Sequence, residues 1–141
     1  MRVREFLPGA DVFDLAEMAG AGTLHEWIVA REQLAQSSMV RRFLRDGRLL
    51  GLMGIYPVSR ELGECWFDIK REAAPDMLWV ARQVRLTLTG TPYPALVTVV
   101  RTPAGAKIAR ACGFGFFQTT SLGDVYGQGI ERNFRFGRAE G

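Results

Sequence analysis

The spacing of hydrophobic and polar residues changes several times along the chain, and each change marks the boundary of a predicted element. Alternating or continuously apolar runs, which are typical of strands, occupy residues 1–6, 39–44, 48–56, 62–69, 95–100 and 116–120. Apolar residues at helical spacing occupy residues 12–19, 24–36, 75–90 and 104–112. Because strands and helices interleave, the pattern predicts the α/β (α+β) class, with one mixed sheet in a single domain over residues 1–141.

The residues after the fourth predicted helix indicate a sharp corner. Gly113 can end this helix because glycine adopts the left-handed conformation without a Cβ clash. We therefore expect a positive φ angle at Gly113 and a core position for Phe114. The strand at residues 116–120 is expected to pair with residues 132–136 across a glycine-rich loop that contains Tyr126.

Composition and charge narrow the classes of partner. The net charge is +3, and 16 of the 18 basic residues are arginines. They are dispersed without a long basic run, which argues against nucleic acid as a partner. The sequence contains no run that predicts a membrane span or a signal peptide, so we expect a cytoplasmic domain. Cys65 and Cys112 form no metal-ligand pattern and are expected to be free, buried thiols, and no metal site is expected.

Three stretches resemble the GNAT superfamily of N-acetyltransferases. "VTVVRTPAGAKIARACGFGFF" has a buried strand, a helix and a Gly-Phe pair at the spacing that many members show before their sixth strand. "RDGRLLGLMGIYPV" is similar to the family's second and third strands, and "GECWFDIK" to the fourth. The order of elements matches over nearly the whole chain.

This resemblance implies both a fold and an activity. The strands Leu62–Ile69 and Ala95–Val100 would be central, parallel neighbours that splay apart at one end into a V-shaped cleft, with helices on both faces of the sheet. The activity implied is transfer of an acetyl group from acetyl-coenzyme A to a small-molecule or protein amine.

Two departures from the family pattern concern the cofactor and the leaving thiolate. In the family, glycine-rich backbone amides after the fourth strand hold the pyrophosphate of coenzyme A. Here the stretch reads "KREAAPDM", which lacks glycine and includes Pro75, a residue without an amide hydrogen. Glu72 and Asp76 would oppose phosphate binding there. Ala109 stands where many members place a tyrosine that protonates the leaving thiolate.

Candidate catalytic residues follow from the chemistry of amine acylation, which needs a base for the ammonium proton. Glu64 and Asp68 share one face of the predicted fourth strand, and the resemblance implies that a carboxylate on this strand serves as base. The alternative is that both are solvated or paired with arginines. Tyr126 would replace the missing acid tyrosine, or would simply anchor its loop by packing.

Candidate cofactor-binding residues also follow from the resemblance. Backbone groups from Phe67 to Ile69 would pair with the pantetheine arm, and basic side chains would attract the phosphates weakly and in a salt-dependent way. The residues concerned are Phe67, Ile69, Lys70, Arg71, Arg101 and Thr102, the last standing where the family has an asparagine.

Two functions remain open from the sequence. The first is an acetyl-coenzyme A dependent N-acetyltransferase with Glu64 or Asp68 as base. The second is a catalytically degenerate module, because small GNAT-like proteins of tailed phages share the "CWFDIKREAAPDM" pattern of an aromatic fourth strand and a proline-bearing link. The second function implies a virion partner or a homo-oligomer, and a location in the phage-infected host cytoplasm or in the virion.

Overall fold

A computed structural model describes residues 3–19 and 23–129 of the chain. Its strands are β1 (Arg4–Pro8), β2 (Met39–Arg45), β3 (Arg48–Pro57), β4 (Leu62–Ile69), β5 (Ala95–Val100), β6 (Gly115–Thr120) and β7 (Gly123–Gln128). Its α-helices are α1 (Val12–Ala19), α2 (Leu24–Gln36), α3 (Met77–Thr89) and α4 (Pro103–Ala111). A 3-10 helix (Arg71–Asp76) joins β4 to α3. The predicted α/β order is confirmed.

The strands form one mixed sheet in the order β1-β2-β3-β4-β5-β7-β6. β4 and β5 run parallel and lie at the centre, whereas every other neighbouring pair within residues 3–129 is antiparallel. A parallel pair requires a crossover connection, which here is the 3-10 helix followed by α3. The central position and parallel direction predicted for these two strands are confirmed.

β4 and β5 are paired over only three positions. Leu62, Gly63 and Glu64 lie opposite Ala95, Leu96 and Val97, and the pairing ends there. β4 continues for five more residues and β5 for three more, so the strands separate toward their carboxyl ends. The predicted splay is therefore confirmed, and it opens a gap in the middle of the sheet.

Helices cover both faces of this sheet. α3 and α4 pack on the face that contains the main core, through side chains that include Val80, Val84 and Ala109. α1 and α2 lie on the other face, where the indole N–H of Trp66 donates to Ser37 Oγ at 2.8 Å, directly after α2. Within the described residues, no helix is both long and apolar enough to cross a membrane.

The corner after α4 forms as expected. Gly113 has a φ angle of 98°, and its N–H donates to the carbonyl of Arg110 at 3.0 Å. The N–H of Phe114 donates to the carbonyl of Ala109 at 3.0 Å, which completes a Schellman cap. The Phe114 side chain is 3% exposed, so the predicted core position is confirmed.

The loop predicted after the sixth strand is wrong, because most of it forms the strand β7. β6 pairs with β7 through a short turn, while residues 132–136 lie outside the described residues. The glycines assigned to a flexible loop instead allow close approach of backbones within or beside β7. A Cβ on Gly123 would lie 2.7 Å from the carbonyl oxygen of Val100, and one on Gly129 would lie 2.1 Å from that of Pro94.

Candidate active site

The gap between β4 and β5 is a cleft of about 540 Å³. It passes through the sheet, because residues from helices on both faces line it. The walls come from β4, β5 and α4, with Leu15 of α1 and Ala30 and Gln33 of α2 at the other side. A cleft of this volume is within the range that binds small molecules and cofactors.

Backbone groups of β4 face into this cleft. The N–H of Ala95 donates to the carbonyl of Glu61 at 3.1 Å, so odd-numbered positions of this stretch direct their backbone groups toward β5. In the other direction, the N–H of Lys70 donates to Leu50 of β3 at 2.9 Å. By this alternation the N–H and C=O groups of Phe67 and Ile69 point into the gap, beyond the last pair formed with β5.

Glu64 lies at the apex of the cleft and Asp68 at its open end. Glu64 is opposite Val97, the last residue of β5 that pairs with β4, and Asp68 follows about 13 Å further along the strand. Both line the cleft on the same face of the sheet as Trp66. Neither carboxylate makes a hydrogen bond or a close ion pair with a described residue, so the structure shows no pairing with arginines, while the exposed Asp68 also fits the alternative of a solvated side chain.

Desolvation shifts the protonation of both carboxyls. Burial raises the pKa of Glu64, and the positive charge of Arg101 partly offsets this rise. Burial also raises the pKa of Asp68, although this side chain is more exposed at the open end. A carboxyl with a raised pKa and no bonded partner is suited to accept a proton.

Arg101 and Thr102 lie together at the end of β5. Arg101 is exposed, and its Nε donates to the carbonyl of Leu122 at 3.1 Å. The Thr102 hydroxyl accepts from the N–H of Gly105 at 3.0 Å and caps α4. Both also line a neighbouring depression of about 570 Å³ beside the β6–β7 turn. The structure thus brings these two predicted residues to the cleft.

The segment after β4 is a 3-10 helix without glycine, and none of its residues lines the cleft. The N–H of Ala73 is bonded to the carbonyl of Lys70, the N–H of Met77 to that of Ala74, and Pro75 has none. The ammonium of Lys70 pairs with Glu17 and lies 3.8 Å from Glu72. Arg71 is exposed and forms no ion pair with the residues that the structure describes.

The expectation that Asp76 opposes phosphate binding is wrong. Its side chain is fully buried and its carboxylate accepts from Arg4 at 2.9 Å and Arg45 at 2.5 Å, on strands at the far edge of the sheet. Only Glu72 carries negative charge toward Lys70 from within this segment. The sequence could not show that the two acids of "KREAAPDM" point in different directions.

Tyr126 does not lie where the sequence predicted. It is a buried residue of β7, not a loop residue, and it is absent from the residues that line the cleft. Its hydroxyl accepts from Arg110 Nη1 at 3.2 Å, and its ring packs against Phe116. Of the two roles considered, packing is the one that its position supports, because its hydroxyl is turned to the end of α4.

A cleft residue that the sequence analysis missed is Thr98. It is the buried hydroxyl residue within the apolar strand "ALVTVV" and lies directly after the last residue paired with β4. Its only sequence signal is a lone polar residue among branched apolar ones. That signal is weak, because threonine is common in strands for conformational reasons.

Coenzyme A fits this site in part. The gap supplies unpaired backbone groups for an amide-bearing arm and space for an acyl group at the apex. The cleft has no glycine-rich loop after β4 for the pyrophosphate, so the phosphates would depend on the side chains of Arg71 and Arg101. The donor end of the molecule is thus accommodated better than the nucleotide end.

Comparison with known proteins identifies the fold. No protein-family model matches the sequence, and no curated protein matches it. Among solved structures, the N-acetyltransferase PseH of Campylobacter jejuni is similar over 88% of this chain and 94% of its own, with a TM-score of 0.59 and 10% identity. An IAA acetyltransferase of Bacillus cereus is similar over 90% and 97%, with a TM-score of 0.60 and 13% identity. A GNAT family acetyltransferase of Elizabethkingia anophelis with acetyl-CoA bound is similar over 88% and 95%, with a TM-score of 0.62 and 12% identity. The chain has the mixed α/β fold of the GNAT acetyltransferases.

Proposed function

We propose that this protein is an N-acetyltransferase that moves an acetyl group from acetyl-coenzyme A to an amine. The observation that carries the proposal is the splayed β4–β5 pair with an unbonded carboxylate, Glu64, at its apex. Acyl transfer needs a bound thioester and a base within reach of the amine, and this cleft offers a place for both. The fold shared with acetyltransferases supports this reading without establishing it.

Coenzyme A would supply an acyl thioester, and the residues of this chain would hold it. Backbone groups of Phe67 and Ile69 bind the pantetheine amides by extending the hydrogen-bond ladder of β4. Arg101 and Arg71 attract the phosphates, with a smaller contribution from Lys70 because Glu17 and Glu72 already neutralise it. Thr102 holds the first turn of α4 at the edge of the cleft through its bond to Gly105.

Glu64 and Asp68 take different roles because they lie at different depths. Glu64 is beside the point where the strands meet, where the thioester end of an inserted arm would lie, and accepts the proton of the amine. Asp68 is at the mouth and attracts the positively charged acceptor as it enters. We assign no proton transfer to Tyr126, because it does not line the cleft.

The test is a binding measurement followed by a turnover measurement. Acetyl-coenzyme A is titrated into the protein by calorimetry, and release of free thiol is then followed with a panel of primary amines. Amine-dependent thiol release that falls at least about 100-fold in Glu64→Gln supports the proposal. Cofactor binding without transfer to any amine of the panel contradicts it.

A second function is favoured by one observation, the glycine-free 3-10 helix that follows β4 and does not line the cleft. On this alternative the chain is a GNAT-like module without acyl transfer, similar to the small proteins of tailed phages, that binds a virion protein or a second copy of itself. It would then act in the phage-infected host cytoplasm or in the virion rather than as a bacterial enzyme. Absence of any binding at millimolar acetyl-coenzyme A would favour this function.

A further inference from the structure

The side chain of Thr98 combines burial with an unused hydrogen-bonding group. The residue is 4% exposed and lines the cleft. Its hydroxyl makes no hydrogen bond with any residue that the structure describes, and it is not sealed in the core. Most buried polar groups in proteins are hydrogen-bonded, so an unpaired one in a cleft indicates a missing partner.

The apolar surroundings offer this hydroxyl no partner on the cleft wall. Phe67, Val100 and Ala109 are apolar parts of the same wall, and none of their side chains offers an acceptor or a donor. Valine has the shape of threonine without the hydroxyl, and valines occupy the positions on either side. A hydroxyl that the protein itself does not use, at a position where the neighbouring residue type would fit, is a candidate for function.

Thr98 also occupies a specific position relative to Glu64. Glu64 is opposite Val97 and shares its face of the sheet, and Thr98 is the next residue of β5. Successive strand residues point to opposite faces, so Thr98 approaches the apex from the α4 side and Glu64 from the α1–α2 side. A group held in the gap at this level would have a carboxylate on one side and a hydroxyl on the other.

We propose that the Thr98 hydroxyl donates a hydrogen bond to the sulfur of the acyl thioester as the thiolate leaves, an inference that rests on the proposed acetyltransferase function. In this step the acceptor nitrogen bonds to the acyl carbon while the bond from that carbon to sulfur breaks. The nitrogen proton passes to Glu64, and the sulfur leaves with the electron pair as a thiolate that water then protonates. The hydroxyl keeps its own proton throughout and stabilises the developing negative charge.

The sulfur is a better partner than the carbonyl oxygen for a geometric reason. Odd-numbered residues of β4 direct their N–H groups into the gap, and such groups can bind a carbonyl oxygen from that strand. Thr98 lies on the opposite wall, in β5, and is the side-chain hydroxyl there that is not used elsewhere. The N–H groups of β4 would therefore bind the carbonyl oxygen of the thioester, and the Thr98 hydroxyl of β5 would bind its sulfur.

The first experiment compares Thr98→Val with Thr98→Ser in amine-dependent acetyl transfer. Removal of the donor should lower kcat roughly 10- to 100-fold with little change in KM, and serine should restore most of the loss. The loss should shrink when the acyl donor carries a more acidic thiol, because a better leaving group needs less stabilisation. A loss that does not depend on the thiol, or no loss at all, overturns the inference.

The second experiment does not depend on turnover. Bound coenzyme A is titrated with base while the ultraviolet absorbance of its thiolate is followed, and the thiol should titrate at higher pH in Thr98→Val than in wild type. The same variant should melt close to the wild-type temperature, because no hydrogen bond within the described residues is lost. Identical thiol titrations in the two proteins contradict the contact.

These measurements separate the two proposals. If the wild-type protein binds coenzyme A but acetylates no amine, the proposed function is wrong. The thiol titration still decides whether Thr98 contacts the sulfur. If Thr98→Val transfers acetyl groups as fast as the wild type, the proposed function holds and this inference is wrong. A protein that binds no coenzyme A at millimolar concentration overturns both.

Discussion

Phe114, the first residue beyond the Gly113 cap, packs edge-to-face against Phe67 with ring centroids 6.4 Å apart and an interplanar angle of 81°. Phe67 is a wall residue of the cleft, whereas Phe114 lies behind it in the core and does not line the cleft. The contact therefore connects the corner after α4 to the strand that would hold the cofactor. Phe114 supports the site from behind and is predicted to touch no substrate.

Phe114→Ala should destabilise the fold by about 3–5 kcal/mol, because it removes a buried ring and leaves a cavity beside Phe67. Phe116→Ala is the matched control two residues further along the chain, since the Phe116 side chain is 59% exposed and its removal should cost about 1 kcal/mol or less. Thermal and urea melts of both variants provide the measurement. Phe117 is half-buried and packs against a second small cluster, so its alanine variant should fall between them. A Phe114→Ala protein that melts like wild type contradicts this assignment.

Gly113→Ala should cost about 1 kcal/mol from backbone conformation alone. Gly113 has a φ angle of 98°, yet the nearest atom to an added Cβ is Arg85 Nε at 3.6 Å, which is an ordinary contact. The penalty therefore comes from the left-handed conformation and not from a clash. Gly115→Ala is the control, because an added Cβ there meets no atom within 4 Å and its φ is not positive. Equal melting temperatures for the two variants would show that the conformational argument fails.

The elements that frame the cleft could be predicted because their signals are local. β4 and β5 have the bounds expected from the sequence, since each is a compact apolar run with turn residues at its ends. The glycine cap of α4 could be predicted for the same reason. Glu64 and Asp68 were assigned to one face correctly, because strand alternation needs only their spacing.

The failures concern contacts between distant parts of the chain. The glycines around Tyr126 predict a loop, but Gly123 and Gly129 instead lie close to backbone atoms of β5 and of Pro94, the residue before it. Asp76 looks like a solvated acid until it is placed beside two arginines more than thirty residues away in sequence. Thr98 carries no local signal that distinguishes a needed hydroxyl from an ordinary strand threonine.

Acetyl transfer should rise with pH through the pKa of Glu64, which desolvation raises above its ordinary value of 4.5. A base must be deprotonated to accept the proton, so activity is lost as pH falls below this pKa. Glu64→Gln should remove this acidic limb and lower kcat by about 10²- to 10⁴-fold. Asp68→Asn is the matched control, and should raise KM for the amine more than it lowers kcat. A Glu64→Gln enzyme with an unchanged pH profile would assign the base elsewhere.

The contribution of Glu64 to the stability of the wild-type protein has the opposite pH dependence to its contribution to activity. Because folding raises the pKa of Glu64, the folded state holds this proton more tightly than the unfolded state, and stability is lost as pH rises through that pKa. Glu64→Gln should therefore be as stable as wild type at pH 5 and at least as stable at pH 8. Urea titrations at the two pH values make the comparison.

Binding of coenzyme A should weaken strongly with added salt, since exposed side chains and not backbone amides would hold its phosphates. The Debye length is about 10 Å at 0.1 M salt, and attractions between exposed charges further apart than this are largely screened. Arg101→Gln and Arg71→Gln should each weaken binding more than Lys70→Gln, because Glu17 and Glu72 already neutralise Lys70. An acetyl thioester of pantetheine, which lacks the nucleotide, should show no such salt dependence. Calorimetry that finds tight binding at high salt would contradict this account.

Asp76→Asn should destabilise the protein by about 3–5 kcal/mol, because it leaves the guanidinium groups of Arg4 and Arg45 without their shared carboxylate. The Asp76 side chain is fully buried, and it joins the start of α3 to the first two strands of the sheet. Glu72→Gln is the control from the same segment, since Glu72 pairs with Arg48 at the surface and should contribute about 0–1 kcal/mol. Urea unfolding of both variants measures the difference, and each folded variant should still bind coenzyme A, because Asp76 is directed away from the cleft. If Asp76→Asn unfolds at the same urea concentration as Glu72→Gln, the buried ion pairs do not hold α3 to the sheet.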